Sequence, residues 1–544
     1  MNERLCLSRL GFRKAEHGRP ARDRADALYG CAMRIRLGTR SGLAAIGLSC
    51  LAFAPARADV RAFDIAELPG SGRIVAAEFA DLDGDGRTDL FSVSLDGVPP
   101  NERRELQVRF QREDGSLLAQ PDIRSSAVAG AAAFDVADLP DGPGQEILLL
   151  RGPGVSVLSF ANRELKQREI GVPNRLTLGT SPDERGLDRL RMARTGIGPN
   201  IRLLVPLHGQ CAIFEPDGSL VALLEVGHRA NYFIPPRPGP LIGENEIEQY
   251  YDFPRLDVGD VDGDGRGDVI ASNRHEVRVF LQRPDSSFDS QPDLRLTLGR
   301  LTVEDQIRGT SNVRVLPVDF NGDGAIDLLV TYTTGGFLNA KSETTFHLNK
   351  NGRWDLENPD QKFLDEDAWI SYQFADLDAD GLPELIQARI PMTVLEIIEL
   401  LVQEAIDIEI SIFVPDAETV YAVPAAHKSK LDLGIRLDIF EPRGFVPTLS
   451  ADFNGDGLPD RISSGDGKAI EIYLGGGKKP FATRDLRQEL DTNGSLRLGD
   501  LDGDGLTDFL IFDRTRPDAP IRIGINRGTL PGTIVTPSLT APNQ

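Results

Sequence analysis

"ADLDGDGRTDLFSV", residues 80–93, sets four carboxylates, Asp81, Asp83, Asp85 and Asp89, within nine residues and then turns at once apolar. A short apolar run bounded by Asp and Gly reads as a buried strand, and the acidic segment reads as the turn that leads into it. The stretch is one of a set: "GDVDGDGRGDVIAS" (259–272), "VDFNGDGAIDLLVT" (318–331), "ADLDADGLPELIQA" (375–388), "ADFNGDGLPDRISS" (451–464) and "GDLDGDGLTDFLIF" (499–512) repeat it. Their first aspartates, Asp81, Asp260, Asp319, Asp376, Asp452 and Asp500, are separated by 179, 59, 57, 76 and 48 residues. The long first gap holds room for two eroded copies. One is "VADLPDGPGQEILLLRGPGVSVLSF" (136–160), which keeps Asp138 and the strand after it; the other is "RLLVPLHGQCAIFEPDG" (202–218), which keeps paired strands and no acidic loop. Eight units of roughly 50 to 60 residues result.

Each unit has an apolar approach, the acidic loop, a β-rich run such as "DLLVTYT", a turn and an alternating strand such as "EVRVFLQ" or "IEIYLG". About four short strands per repeat predict an all-β chain, a β-propeller of eight four-stranded blades, with seven as the alternative if one eroded unit is only a connection. The chain after Asp508 has room for about two strands, so 60–65 is expected to supply the last blade's outer strand and close the ring. Closure leaves no exposed sheet edge.

By position the loop reads D-x-[DN]-G-D-G-x-x-[DE]. Carboxylates or an amide at 1, 3, 5 and 9 are hard oxygen ligands, position 7 can give its backbone carbonyl, and Gly at 6 permits the turn around one cation. The candidate ligand sets are Asp81, Asp83, Asp85, Arg87 and Asp89; Asp260, Asp262, Asp264, Arg266 and Asp268; Asp319, Asn321, Asp323, Ala325 and Asp327; Asp376, Asp378, Asp380, Leu382 and Glu384; Asp452, Asn454, Asp456, Leu458 and Asp460; and Asp500, Asp502, Asp504, Leu506 and Asp508. Oxygen-only ligation selects Ca²⁺, about six ions, over transition metals. An EF-hand would need a Glu at position 12, where this chain has Ser92, Ala271, Val330, Gln387, Ser463 and Ile511. Thrombospondin-type calcium repeats are spaced more closely and carry cysteines. Six ions would offset more than half of the charge on the 22 acidic side chains of the loops. Affinities of about 10⁻⁴ to 10⁻³ M, the range of extracellular modules, make calcium a structural ligand.

The unit "DxDGDGxxDLxV" resembles the FG-GAP repeat, also called VCBS, of integrin α-chain propellers and many exported bacterial proteins. The resemblance covers nearly all of 60–530, and implies a calcium loop between the first two strands of a blade, with Asp81, Asp83, Asp85, Asp89 and their counterparts as ligands. Asn321 and Asn454 at position 3, Ala379 at position 4 and Glu384 at position 9 depart from the pattern. The Asn loops are expected to hold calcium more weakly.

Ahead of the repeats, Met33 opens a basic region (Arg34, Arg36, Arg40), an apolar run over about 43–54 and Ala56-Arg57-Ala58, the signature of a secretory signal peptide over 33–58. The run is shorter than the roughly 20 residues of a membrane span, so no transmembrane segment is expected in the mature chain. Residues 1–32 read as an upstream or mis-started extension, which leaves 59–544 as the propeller. Cleavage takes the net charge from -23 to -30, because the leader carries eleven Lys/Arg and four Asp/Glu, and leaves Cys211 as the one cysteine. A chain this acidic does not bind nucleic acid, which needs clustered Lys and Arg. Location is expected to be periplasmic or secreted, and the oligomeric state a monomer.

Two insertions interrupt the repeats, near 228–253 and 390–445. In "TVLEIIELLVQEAID" (393–407) the apolar residues Val394, Ile397, Ile398, Leu401, Val402 and Ile406 recur at helical spacing; the stripe is expected to pack on the propeller, with docking of a partner as the alternative. Tyr232, Phe233, Tyr250, Tyr251 and Phe253 are expected to pack their own loop, with stacking on a sugar ring as the alternative. No G-x-S-x-G, H-E-x-x-H or phosphate loop occurs, and His208, His228, His275, His347 and His427 show no zinc spacing. No catalytic residue is assigned. The sequence reads as a binding or adhesion module for a protein or glycan, with a polysaccharide lyase or hydrolase as the alternative.

Overall fold

The computed structural model describes residues 61–534 apart from 98–100, 102, 141, 174–186, 228, 234–247, 301, 304–310, 336–339, 439–440 and 477–479. The leader expected over 33–58 and the extension before it lie outside the described residues. Among the described residues no helix is long and apolar enough to cross a membrane.

Eight blade sheets follow one another along the described chain, each built on four antiparallel strands: blades 1 to 7 span 73–125, 133–171, 193–224, 255–297, 312–366, 368–442 and 445–489, and short fifth strands, Asp188–Arg189 and Glu441–Pro442, extend the sheets of blades 2 and 6. Blade 8 takes three strands from 495–526 and its outer strand from Phe63–Leu68, which pairs antiparallel with Ile521–Asn526 from Phe63↔Asn526 to Leu68↔Ile521. The ring therefore closes with the first and last strands of the propeller in one sheet, as expected, three residues further along than expected. The count of eight holds because both eroded units form complete blades, 2 and 3.

Where the first strands of neighbouring blades touch, as Arg73–Ala80 and Phe445–Ala451 do with Ser495–Gly499, they line the axis. Second strands lie between the faces of the adjacent blades. Asp268–Ser272, Asp460–Ser464 and Asp508–Phe512 are buried at every residue, which explains why each acidic loop runs straight into apolar sequence: a strand covered on both faces has no polar side to show.

One apolar cluster occupies each interface between blades. Phe91 of blade 1 meets Phe134 of blade 2 edge-on at 5.7 Å. Between blades 7 and 8, Phe63 packs on Phe453 at 5.7 Å and Phe509 at 5.0 Å, so the closing strand fills an interface as well as ending a sheet. Gln488 of blade 7 fixes it in register, accepting from the Phe63 N–H (3.1 Å) and donating to the Phe63 carbonyl (2.8 Å). Arg522–Glu67 (3.0 Å) and Arg527–Asp64 (2.7 Å) add ion pairs across the seam.

The insertions behave differently from one another. At 228–253 a two-stranded excursion pairs Arg229–Phe233 with Glu248–Asp252; of its aromatic residues, Phe253 packs against the core between blades 3 and 4, and the side chains of 229–233 and 248–251 lie outside the described residues. In blade 6 the expected helix spans Val394–Gln403, and Ala405–Phe413 is already strand, so Ile406 of the expected stripe belongs to the sheet. Leu400, outside the expected stripe, packs into a small core with Ile408, Leu431, Leu433 and Ile435, and Ile406 packs against it; Ile397 is half-buried, whereas Val394, Ile398, Leu401 and Val402 face solvent, against the expectation that the stripe packs inward.

Phe63→Ala should cost about 3–5 kcal/mol, as for a buried aromatic truncated in a core, and should do so by loosening the closing strand. Urea unfolding measures the loss, and hydrogen exchange should show it concentrated in 63–68 and 521–526.

Candidate metal centres

Every acidic loop is the first turn of its blade, and its register is constant. The residue before position 1 pairs with position 9: Ala80↔Asp89, Gly259↔Asp268, Val318↔Asp327, Ala375↔Glu384, Ala451↔Asp460 and Gly499↔Asp508. Eight residues thus bridge two adjacent strands, and the loop must coil on itself. It does so with left-handed backbone at positions 4 and 6: φ is +74° at Gly84 and +83° at Gly86, and stays between +71° and +89° at the equivalent glycines. Ala379 stands at position 4 of the blade-6 loop with φ +61°, a conformation costing an L-residue roughly 1–2 kcal/mol.

The coil turns its own carboxylates inward. Asp81 accepts from the N–H groups of Gly84 (2.9 Å) and Gly86 (3.0 Å), and Asp85 accepts from Arg87 N–H (3.0 Å). Asp260, Asp319, Asp452 and Asp500 repeat the first pattern. Asp376 bonds only Gly381, and its Oδ1 is buried without a hydrogen-bond partner. Ligand oxygens lie within 4.8 Å of one another in four triads: Asp81/Asp83/Asp85, Asp260/Asp262/Asp268, Asp376/Asp378/Glu384 and Asp500/Asp502/Asp504. In the remaining two loops the position-3 amide donates to position 5, Asn321 to Asp323 (3.0 Å) and Asn454 to Asp456 (2.9 Å).

Position 9 has a role the sequence pattern did not reveal. Its carboxylate is buried, and one oxygen accepts from the N–H of position 2 in all six loops, as Leu82 to Asp89 at 2.9 Å. In five blades the other oxygen accepts from an N–H at the end of the third strand, Asn526, or just after it, Gln111, Gln282, Asn349 and Gly475. One carboxylate clamps loop and sheet together. Eroded blade 2 keeps this clamp: Glu146 pairs with Ala137 and accepts from Leu139 N–H at 2.9 Å. Burial pushes these carboxyls up, to about 7 for Asp89, Glu146, Glu384 and Asp508 and to about 6 for Asp268, Asp327 and Asp460.

Neighbouring loops also bond to one another. The residue at position 8 donates to the position-1 carbonyl of the preceding blade: Gln145 to Asp81 (2.6 Å), Ile326 to Asp260 (2.8 Å) and Thr507 to Asp452 (2.9 Å) through the backbone, and Thr88 to Asp500 (2.9 Å) through its hydroxyl. Pro383 and Pro459 occupy that position in blades 6 and 7 and have no N–H to give.

The first loop is the most heavily neutralised from within the protein. Arg163, from the 3-10 turn Ala161–Arg163 of blade 2, reaches back to Asp83 (2.7 Å) and Asp85 (3.2 Å) and lies 5.1 Å from the centre of the Phe110 ring. Arg87 pairs with Asp85 inside the loop, as Arg266 does with Asp264. At the axis, charges are matched in the same way. Glu78 meets Arg497 (3.1 Å) and Arg189 (3.4 Å), Asp135 meets Arg189 (3.1 Å), and Asp257 meets Arg255 (2.9 Å). Arg189 belongs to a short strand, Asp188–Arg189, that runs parallel to Ala133–Phe134 on the axial edge of blade 2.

Two measurements follow from this geometry. Gly86 has nothing within 4 Å of a built Cβ, whereas one at Gly84 would stand 1.8 Å from the Pro143 carbonyl oxygen. Gly86→Ala should therefore cost about 1–2 kcal/mol for backbone strain alone, and Gly84→Ala distinctly more, in chemical denaturation of the two variants. Glu146, held near 7 against an ordinary 4.5, contributes stability that is complete below about pH 4.5 and is lost as pH rises through 7. Glu146→Gln keeps the acceptor for Leu139 and cannot ionise, so its unfolding free energy in chelator should fall less between pH 5 and 7.5 than that of the unaltered protein.

Comparison with known proteins bears on the repeat. Segments 260–330, 319–386 and 452–511 match the family described as FG-GAP-like repeat. No curated protein matches the chain. Among solved structures it is similar to a lectin of Agrocybe aegerita, described for recognition of non-reducing terminal N-acetylglucosamine, at 13% identity over 84% of this chain and 86% of that one (TM-score 0.36). It is also similar to Sqt1 from Chaetomium thermophilum, at 10% identity over 84% and 97% (TM-score 0.41). The matched segments carry the loops of blades 4 to 8, and the same loop, clamp and hairpin register recur in blade 1 of a closed eight-bladed ring: the chain is an FG-GAP repeat β-propeller.

Proposed function

We propose that the chain is an exported binding module for a protein or glycan ligand, a propeller whose six intact loops are each held by Ca²⁺. The observation that carries the metal is the inward-turned carboxylate coil, repeated six times and backed by a buried carboxylate at position 9. Carboxylate oxygens from three side chains meet in four of the coils, a donor set suited to a hard cation. The orphaned Asp376 Oδ1 and the upward-shifted carboxyls at position 9 are groups that a cation would satisfy. Positions 1, 3, 5 and 9 supply side-chain oxygens and position 7 its carbonyl.

Binding is the role the fold supports, because a rigid closed ring holds its connecting loops in place and leaves them free to vary. No paired carboxylates stand open at the axis among those described; Glu78, Asp135 and Asp257 each face a guanidinium. Export accords with the leader expected at 33–58 and with weak calcium sites that fill only outside the cytosol.

Thermal unfolding in millimolar calcium and in EDTA tests the metal. Each site at ten times its Kd should add about 1.4 kcal/mol, so the melting temperature should rise clearly with calcium; equal melting temperatures would refute the proposal. In a calcium titration Arg163→Ala should tighten one site, that of blade 1. For the ligand, glycan-array binding without release of reducing ends or unsaturated uronides supports a binding module, and product formation would replace it with an enzyme. N-terminal sequencing of the exported protein should begin at Asp59.

A further inference from the structure

The helix Val394–Gln403 connects the second and third strands of blade 6, so it stands at the rim opposite the acidic loops, which join first to second. Its ends are built firmly. The N-cap Thr393 accepts from Glu396 N–H, the Glu396 carboxylate returns to the Thr393 hydroxyl, and the C-cap Glu404 pairs with Arg443. Its sides are unusual for a capped surface helix. At 100° per residue, Leu400 and Ile397 share the face turned to the blade, while Val394, Leu395, Ile398, Leu401 and Val402 form one continuous face turned away from it. Those five side chains are 53–77% exposed, against 8% for Leu400. A helix apolar nearly all round belongs in an interior, and this one has a covered side and an uncovered one.

The charges around the uncovered face select what covers it. Glu396 and Glu399 lie along one flank, and the helix contains no basic residue; Glu399 takes the Gln403 amide (2.9 Å). Behind it Asp407 and Asp432 are cross-strand partners that crowd one another. The nearby cations are engaged: Arg389 (2.7 Å) and Lys430 (3.3 Å) pair with Glu409, and Arg443 pairs with Glu404. A second copy of the helix would bring Glu396 and Glu399 against their like in an isologous contact, and an anionic lipid surface would repel them. We infer that this face is a docking site for a cationic amphipathic helix of a partner protein, its apolar stripe laid along Leu395, Ile398 and Val402 with Lys or Arg against Glu396 and Glu399. The site is separate from the loops of the proposed calcium function and does not depend on it.

The test titrates the full chain with two labelled synthetic peptides, a short amphipathic helix of Leu and Lys and its Leu and Glu counterpart, in calcium and in EDTA. The Leu/Lys helix should bind and the Leu/Glu helix should not. Ile398→Gln with Val402→Gln should weaken binding by about tenfold or more at an unchanged melting temperature. Glu396→Lys with Glu399→Lys should reverse the preference between the peptides. Leu/Lys binding that neither pair of substitutions alters would reduce the effect to the general acidity of the chain and overturn the inference. Absence of binding would overturn it too, as would concentration-dependent self-association abolished by Ile398→Gln with Val402→Gln. Failure of the calcium proposal would leave these outcomes unchanged.

Discussion

The propeller turns on one buried carboxylate in each of seven blades, all but blade 3. At position 9 it accepts from the amide at the loop's start and, in five blades, from the amide at the exit of the third strand, so it joins three successive pieces of chain at the blade's end. Backbone amides leaving a sheet must find acceptors, and a buried acceptor costs free energy unless it is bonded. The clamp meets both needs. Blade 2 shows its priority: the acidic loop has gone, and Glu146 still holds Leu139.

Charge concentrated around these clamps shapes what surrounds them. Four carboxylates within nine residues repel, and the molecule relieves the repulsion partly from its own resources. Backbone amides point at Asp81 and Asp85, and Arg163 comes from the next blade to Asp83. The same principle governs the axis, where Glu78, Asp135 and Asp257 each face an arginine. Position 8 ties neighbouring loops together by hydrogen bonds between blades 8 and 1, 1 and 2, 4 and 5, and 7 and 8, and Pro383 and Pro459 have no N–H to do the same in blades 6 and 7.

Much of this was legible in the residues. Repeat spacing gave eight blades, the eroded units included, and the short C-terminal end required an N-terminal strand to close the ring. The pattern of positions 1, 3, 5 and 9 located the loops. It did not separate position 9, whose carboxylate anchors the sheet, from positions 1, 3 and 5, which line the coil. It assigned the left-handed turn to position 6 alone, although Gly84 and its counterparts need it equally and Ala379 adopts it. In the blade-6 insertion the helical period was right and the direction of its apolar face was not, because periodicity shows that a stripe exists and not which way it points.

The sequence by itself determined the repeat, the strand order within each blade, the glycine positions and the oxygen-rich loops, since all of these are set by contacts between residues close along the chain. Tertiary structure alone decided that Arg163 would neutralise a loop some 80 residues away, that Phe63 would complete a core with Phe453 and Phe509, and that Leu395, Ile398 and Val402 would be left uncovered. Those outcomes depend on which surfaces closure of the ring brings together, and a linear pattern carries no measure of distance across the fold.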